Sequence, residues 1–337
     1  MSRRLDGLEN HNENQRRQGA MPGISGLLRN SLIAIATIIS GCAKDEVHEK
    51  AQGIEHVIRD EKSIFPSLPN DLQKNVIYEH EPKNVKKRLI AILHVHGSAL
   101  TFRDDMLRTH IQHQAEVFSD LQRMVQHYGY DRVSFFLEGL KGPISHWNDE
   151  TISAQAQSWK KLRTWQESDK AKQDELVKEF QHRLNSSELT SANTIWNEYD
   201  GPSAFTGFCK TLHRMPAIYG AEPPKRIEWM PDLSDNKLTL DEITDRLKKA
   251  QEMMHENVRV RNKHTAALMD RMVLEKGIGV LTMGAGHFAA AQERYELAST
   301  ADVTTSLEKF LTAIPRAHLI VIQPTKVPSL LKHRKKS

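Results

Sequence analysis

Three apolar stretches of the 337-residue chain end in groups able to do chemistry. The first, Arg88 to Gly97 (RLIAILHVHG), closes on His94 and His96. Residues two apart share one face of a strand, so the two imidazoles can converge on a metal ion or a ligand. The second, Arg132 to Leu137 (RVSFFL), is followed by Glu138 and Gly139. A carboxylate that completes an apolar strand needs a metal, a cation or solvent, because burying it unpaired is costly. The third, Ile278 to Met283 (IGVLTM), runs into Gly284-Ala285-Gly286-His287. Its two glycines let the backbone approach a bound group closely. A helix expected over 287–298 would place His287 at a positive dipole end, which favours neutral imidazole for metal binding or proton acceptance. The alternatives are satisfied, partly buried histidines and a solvent-exposed Glu138.

A fourth signal lies on a helix. Thr239-Leu240-Asp241-Glu242 is a capping box. The stripe that follows, Ile243, Leu247, Ala250, Met254 and Val258, places its next inward position at Arg261. An inward guanidinium requires an anionic partner, and Glu138 is the candidate; a solvated arginine at a helix bend is the alternative.

The elements that would hold these residues alternate between strand and helix. Strands are expected at 88–97, 132–137, 215–220, 278–283 and 319–322. Helices are expected at 104–127, from Thr239 toward Gly277, and at 287–298 and 303–313. This order gives an α/β fold with a mostly parallel central sheet flanked by helices. Open sheets of that kind bind ligands at the carboxyl ends of their strands, where His94, Glu138 and His287 fall. The polar stretch 150–200, with Trp159 and Trp165 on a sparse apolar stripe, reads as a helical insertion.

Composition narrows the chemistry. Seventeen histidines against two cysteines point to imidazole and carboxylate work, not to a disulfide framework or a Cys-rich zinc site. The formal charge of +4 is unevenly spread. Residues 1–41 hold five arginines against three carboxylates, and the tail 332–337 holds four basic residues, which leaves the body at −2. A body so close to neutral carries no electrostatic footprint for nucleic acid.

Residues 1–20 are polar and lack any apolar period. Arg29, the short apolar run Leu32 to Ile39 and the small pair Ser40-Gly41 then lead to Cys42. The run is too short to span a bilayer and suits the core of a secretory signal. The segment Ile39-Ser40-Gly41-Cys42 resembles the lipobox of bacterial lipoproteins, which implies cleavage before Cys42 and acylation of its thiol. Ala43 in the next position is similar to lipoproteins sorted to an outer membrane and facing the periplasm. The expected organisation is a signal segment 1–41, a linker 42–85, an α/β domain 86–325 and a basic tail 326–337. Cys209 has no visible base beside it and is expected to be inert.

Taken in order, the motifs resemble the TraB/GumN, Tiki and ChaN-like superfamily, which includes erythromycin-esterase-like proteins. His96-Gly97 is similar to its first histidine motif, although Leu93 stands where many members have glycine. Glu138 looks like its glutamate, and Tyr219-Gly220-Ala221-Glu222 like its mid-chain motif. Arg261-Asn262 looks like its arginine-containing helix, and Gly284-Ala285-Gly286-His287 like its second histidine motif. The resemblance implies a pocket in a lipid-anchored envelope protein that takes a peptide or small-molecule ligand. It further implies a metal-dependent hydrolase, with His94, His96 and His287 as metal ligands. Glu138, Arg261 and His287 would be catalytic, and Glu222, Asn262, Gly284 and Gly286 would face the ligand. The alternatives it leaves open are a haem-binding lipoprotein using His94 or His96 as axial ligand, and a non-catalytic scaffold.

Overall fold

The computed structural model describes residues 64–95, 106–146, 148–186, 198–212, 214–224, 239–291 and 305–325. His96, Cys42, the lipobox and the basic tail lie outside them. The elements in chain order are α1 (Asn70–Gln73), β1 (Val76–His80), β2 (Lys87–His94), α2 (Leu107–Tyr128), β3 (Val133–Pro143), α3 (Asp149–Glu167), α4 (Lys170–Asn185), α5 (Gly201–Thr211), β4 (Ala217–Glu222), α6 (Leu240–Met272), β5 (Ile278–Gly284), α7 (Leu307–Thr312) and β6 (Ala317–Ile322). They build an α/β fold around a six-stranded sheet of order β1-β6-β2-β5-β3-β4. Only the edge strand β1 is antiparallel; the other pairings are parallel.

Every residue of β2 is buried, as a central parallel strand covered on both faces requires. Alternation along the strands sorts the core into two layers. Ile90, Ile92, Phe135, Leu137 and Val280 face α2, α3 and α5. Leu89, Ala91, Leu93, Phe136 and Met283 face α6 and α7. The register then fixes the site: His94 lies beside Gly284, Leu137 beside Thr282, and Leu137 also beside Gly220. The carboxyl ends of β2, β5, β3 and β4 are thus brought into one row.

The helices start where their caps dictate. Asn148, Asp169 and Asp200 each accept a hydrogen bond from a backbone N–H in the first turn of α3, α4 and α5. Thr239 and Glu242 close the expected capping box on the 33-residue α6. The described part of the insertion holds two helices, α3 and α4. Its buried Trp165 and Phe180 belong to the same core layer as α2, so it thickens that layer.

Two boundaries differ from expectation. The chain from 64 to 80 belongs to the domain and not to a linker: Phe65, Leu68 and Leu72 are buried in the core, and β1 pairs with β6. Prolines at 66 and 69 suggested a linker, but they only precede α1. His287 sits in the short 3-10 turn Ala285–His287, with helical backbone resuming at 289, so it is not within a helix's first turn. Among the described residues no helix is long and apolar enough to cross a membrane.

One buried carboxyl gives a measurable signature. Asp120 on α2 is 1 % exposed, and its Oδ2 has no hydrogen-bond partner. Burial, reinforced by Glu116 and Asp71, outweighs Arg123 and pushes its carboxyl up from 3.8 to about 7. The folded chain then keeps a proton that the unfolded chain gives up. The stability contributed by that proton is complete below the ordinary carboxylate value and is lost as pH rises through about 7. Asp120→Asn should therefore be more stable than the parent at pH 8, by a few kcal/mol at most. Urea titrations from pH 4 to 8 should show a flatter stability profile for the variant.

Candidate active site

Arg261 lies on the inward stripe of α6, three turns beyond Ala250, and its side chain is 11 % exposed. Its Nη2 donates to two carboxylates. One is Glu138 Oε1, at the end of the apolar part of β3; the other is Glu222 Oε1, at 2.5 Å, at the end of β4. Burial opposes the charge on Arg261, but Glu138 and Glu222 outweigh it and hold the guanidinium above its ordinary range. The expected pairing with Glu138 is present, and Glu222 joins it.

Each carboxylate is further fixed by backbone. Glu138 Oε2 accepts from the Gly284 N–H of β5. A Cβ on Gly284 would stand 3.4 Å from that oxygen, in contact with it. Glu222 Oε1 also accepts from the Gly139 N–H at 3.2 Å, and Gly139 has φ +83°, which favours glycine. Both oxygens of Glu138 are engaged by donors, one from Arg261 and one from the Gly284 N–H.

The next residue of α6, Asn262, controls His287. Asn262 Nδ2 donates to the Thr305 carbonyl at 3.2 Å, which turns its Oδ1 toward His287 Nδ1. An oxygen there accepts, so Nδ1 carries the proton and the lone pair of neutral His287 lies on Nε2. That nitrogen stands 3.7 Å from Glu138 Oε1. The side-chain amide of Asn262 thus selects which ring nitrogen carries the proton in neutral imidazole. Asn262 and the Gly284 N–H, expected to meet a ligand, make internal bonds instead. Gly286 differs: a Cβ there would meet nothing within 4 Å among the described residues.

His94 takes no part in this cluster. It follows Ile90 and Ile92 on the other face of the sheet and is 1 % exposed. Its Nε2 lies 2.8 Å from Gln114 Oε1 and 3.4 Å from Asp200 Oδ1. Gln114 Nε2 donates to the Val95 carbonyl at 2.9 Å, so its Oε1 accepts from both His94 and the Gly201 N–H. His113 Nε2 accepts from the Val95 N–H at 3.0 Å. His94 is therefore a tied core residue, its Nε2 engaged by Gln114 and Asp200.

Sequence reasoning passed over His113, Gln114, Asp200 and Asn257. Gln114 sits three residues after Ile111 and three before Val117, on the buried face of α2, and its polarity there was the available signal. Asn257 likewise interrupts the α6 stripe one turn before Arg261 and is 3 % exposed. Cys209 is buried, and burial pushes its thiol up to about 12, as expected of an inert cysteine.

For a metal, the described side chains at this site are His287, Glu138 and Glu222. Among the described residues no group of three His, Cys, Asp or Glu side chains could hold an ion. The Arg261 guanidinium also occupies the place between the two carboxylates that a cation would take. Comparison of the chain with family models, curated proteins and solved structures returns no match.

Proposed function

We propose that the protein is a hydrolase of a carbonyl substrate, of peptide or ester type, with His287 Nε2 as the base that activates water. The observation that carries this reading is the oriented imidazole: Asn262 holds Nδ1, and Nε2 lies 3.7 Å from Glu138 Oε1 at the end of the apolar part of β3. Water attacks the carbonyl carbon, His287 Nε2 takes its proton, and the same proton returns to the leaving group as the tetrahedral species collapses. Arg261 Nε, buried and without a hydrogen-bond partner, has an N–H for the oxygen on which charge develops. Glu138 keeps Arg261 in place and favours the imidazolium formed in the step.

With a panel of fluorogenic aminoacyl amides and nitrophenyl esters, His287→Ala should lower kcat/KM by about 10²–10⁴-fold. Asn262→Ala should lower it by about tenfold or more through loss of orientation. Turnover that survives His287→Ala unchanged would remove the reading.

The superfamily resemblance supports a metal-dependent form of the same reading, in which His96 joins His287 around a divalent ion that polarises the carbonyl. No step above depends on it. Metal content of the purified protein, and its loss in His96→Ala and His287→Ala, measures that form directly.

We also propose a lipid anchor on Cys42 in a bacterial envelope, supported by the order of Arg29, apolar run, small pair and cysteine. Cys42→Ser should move the protein from the membrane fraction to the soluble fraction. Unchanged membrane association would contradict the anchor.

A further inference from the structure

Among the described residues, Glu138 and Glu222 bring two carboxylates to the one guanidinium of Arg261, and all three side chains are at most 11 % exposed. His264, one turn beyond Arg261 and half-buried, adds no second cation. Burial and Arg271 hold its imidazole below the ordinary range despite Glu222, so it stays uncharged at neutral pH. Glu222 is left with one oxygen, Oε2, that is enclosed yet accepts no hydrogen bond.

Two more unpartnered atoms belong to residues one turn apart on α6. Asn257 Oδ1 is one turn before Arg261 and buried; Arg261 Nε is beside the Nη2 that holds Glu222. Buried polar atoms without partners are rare in folded proteins and call for a specific explanation. Here they comprise an anionic acceptor, a neutral acceptor and one N–H donor. A primary ammonium presents three N–H donors and one positive charge, which answers an anionic and a neutral acceptor together. A carbonyl oxygen answers the Arg261 N–H.

We propose that Glu222, with Asn257, forms a subsite for a protonated amino group next to the carbonyl that Arg261 receives: the substrate carries a free α-aminoacyl end. The placement of the carbonyl rests on the hydrolase reading; recognition of the ammonium by Glu222 does not. An N-acylated end lacks the charge and two of the donors, and it would leave Glu222 Oε2 buried and unanswered.

The test is isothermal calorimetry with leucinamide and N-acetyl-leucinamide, on the full chain and on its His287→Ala variant. Leucinamide should bind to both proteins at least about tenfold more tightly than the acetylated probe. Glu222→Gln replaces Oε2 by an amide that donates, and it should abolish the preference while far-UV circular dichroism stays that of the parent. Should Glu222→Gln fail to fold, Asn257→Leu leaves the Arg261 pairs intact and should weaken leucinamide severalfold while sparing the acetylated probe. Equal affinity for the two probes, no binding of leucinamide, or an undiminished preference in the folded variants would overturn the subsite. A preserved preference with turnover insensitive to His287→Ala would leave the subsite standing and remove the hydrolase reading alone.

Discussion

Replacing Arg261 by methionine is expected to lower the unfolding free energy by about 3–5 kcal/mol, the range for breaking a buried ion pair from one side. Methionine keeps much of the volume, so lost packing is a minor part. The cost comes from Glu138 and Glu222, which remain 5 % and 4 % exposed at their side chains with no cation between them. They would take up protons or draw in water. The attribution can be checked by adding Glu138→Gln and Glu222→Gln to Arg261→Met. Removing all three charges should recover most of the loss, because the partners then need no counter-ion. If the triple variant is no more stable than Arg261→Met, the loss comes from packing and the charge account fails. Chemical denaturation at neutral pH reads both comparisons.

The second large effect is expected at Gly220. This residue lies on β4 where β3 crosses it at an irregular register, pairing with both Leu137 and Gly142. A Cβ there would stand 2.2 Å from the Leu140 carbonyl carbon and oxygen and 2.3 Å from Lys141 N. Backbone cannot swing aside as a side chain does, so β3 and β4 must separate. Gly220→Ala should cost about 3 kcal/mol. It should also shift Glu222, two residues on, away from Arg261. Gly286→Ala is the matched control. Its Cβ meets nothing within 4 Å among the described residues, and its stability should stay within about 0.5 kcal/mol of the parent. Thermal unfolding of the pair separates steric obstruction from a general intolerance of alanine for glycine.

The central strands were legible because burial on both faces turns them into unbroken apolar runs. Lys87–His94, Ile278–Gly284 and Ala317–Ile322 show that pattern plainly. The inward direction of Arg261 was also legible, since helical period alone sets it. The edge strand Val76–His80 was not. Its residues are only half-buried, and its reason to be a strand is its pairing with β6, more than 230 positions away. The division of the histidines was hidden for a similar cause. His94 and His287 both close strands, but parity along β2 sends His94 to the α2 face, whereas the turn after β5 carries His287 toward α6. Strand ends can be read from sequence; the face on which a turn returns the chain depends on a distant partner such as Asn262.

The ties around Val95 bear on how this chain can vary over evolutionary time. Gln114 has its amide nitrogen on one backbone carbonyl and its oxygen on an imidazole and a backbone N–H, while the adjacent His113 takes the remaining N–H of Val95. Gly201 comes so close that a Cβ would lie 2.5 Å from the Gln114 carbonyl oxygen. Drift at any one of these positions strands the bonding groups of the others. Homologous chains should therefore keep His94, His113, Gln114 and Gly201 together or exchange them together, even where the opposite face of the sheet has lost or altered its chemistry.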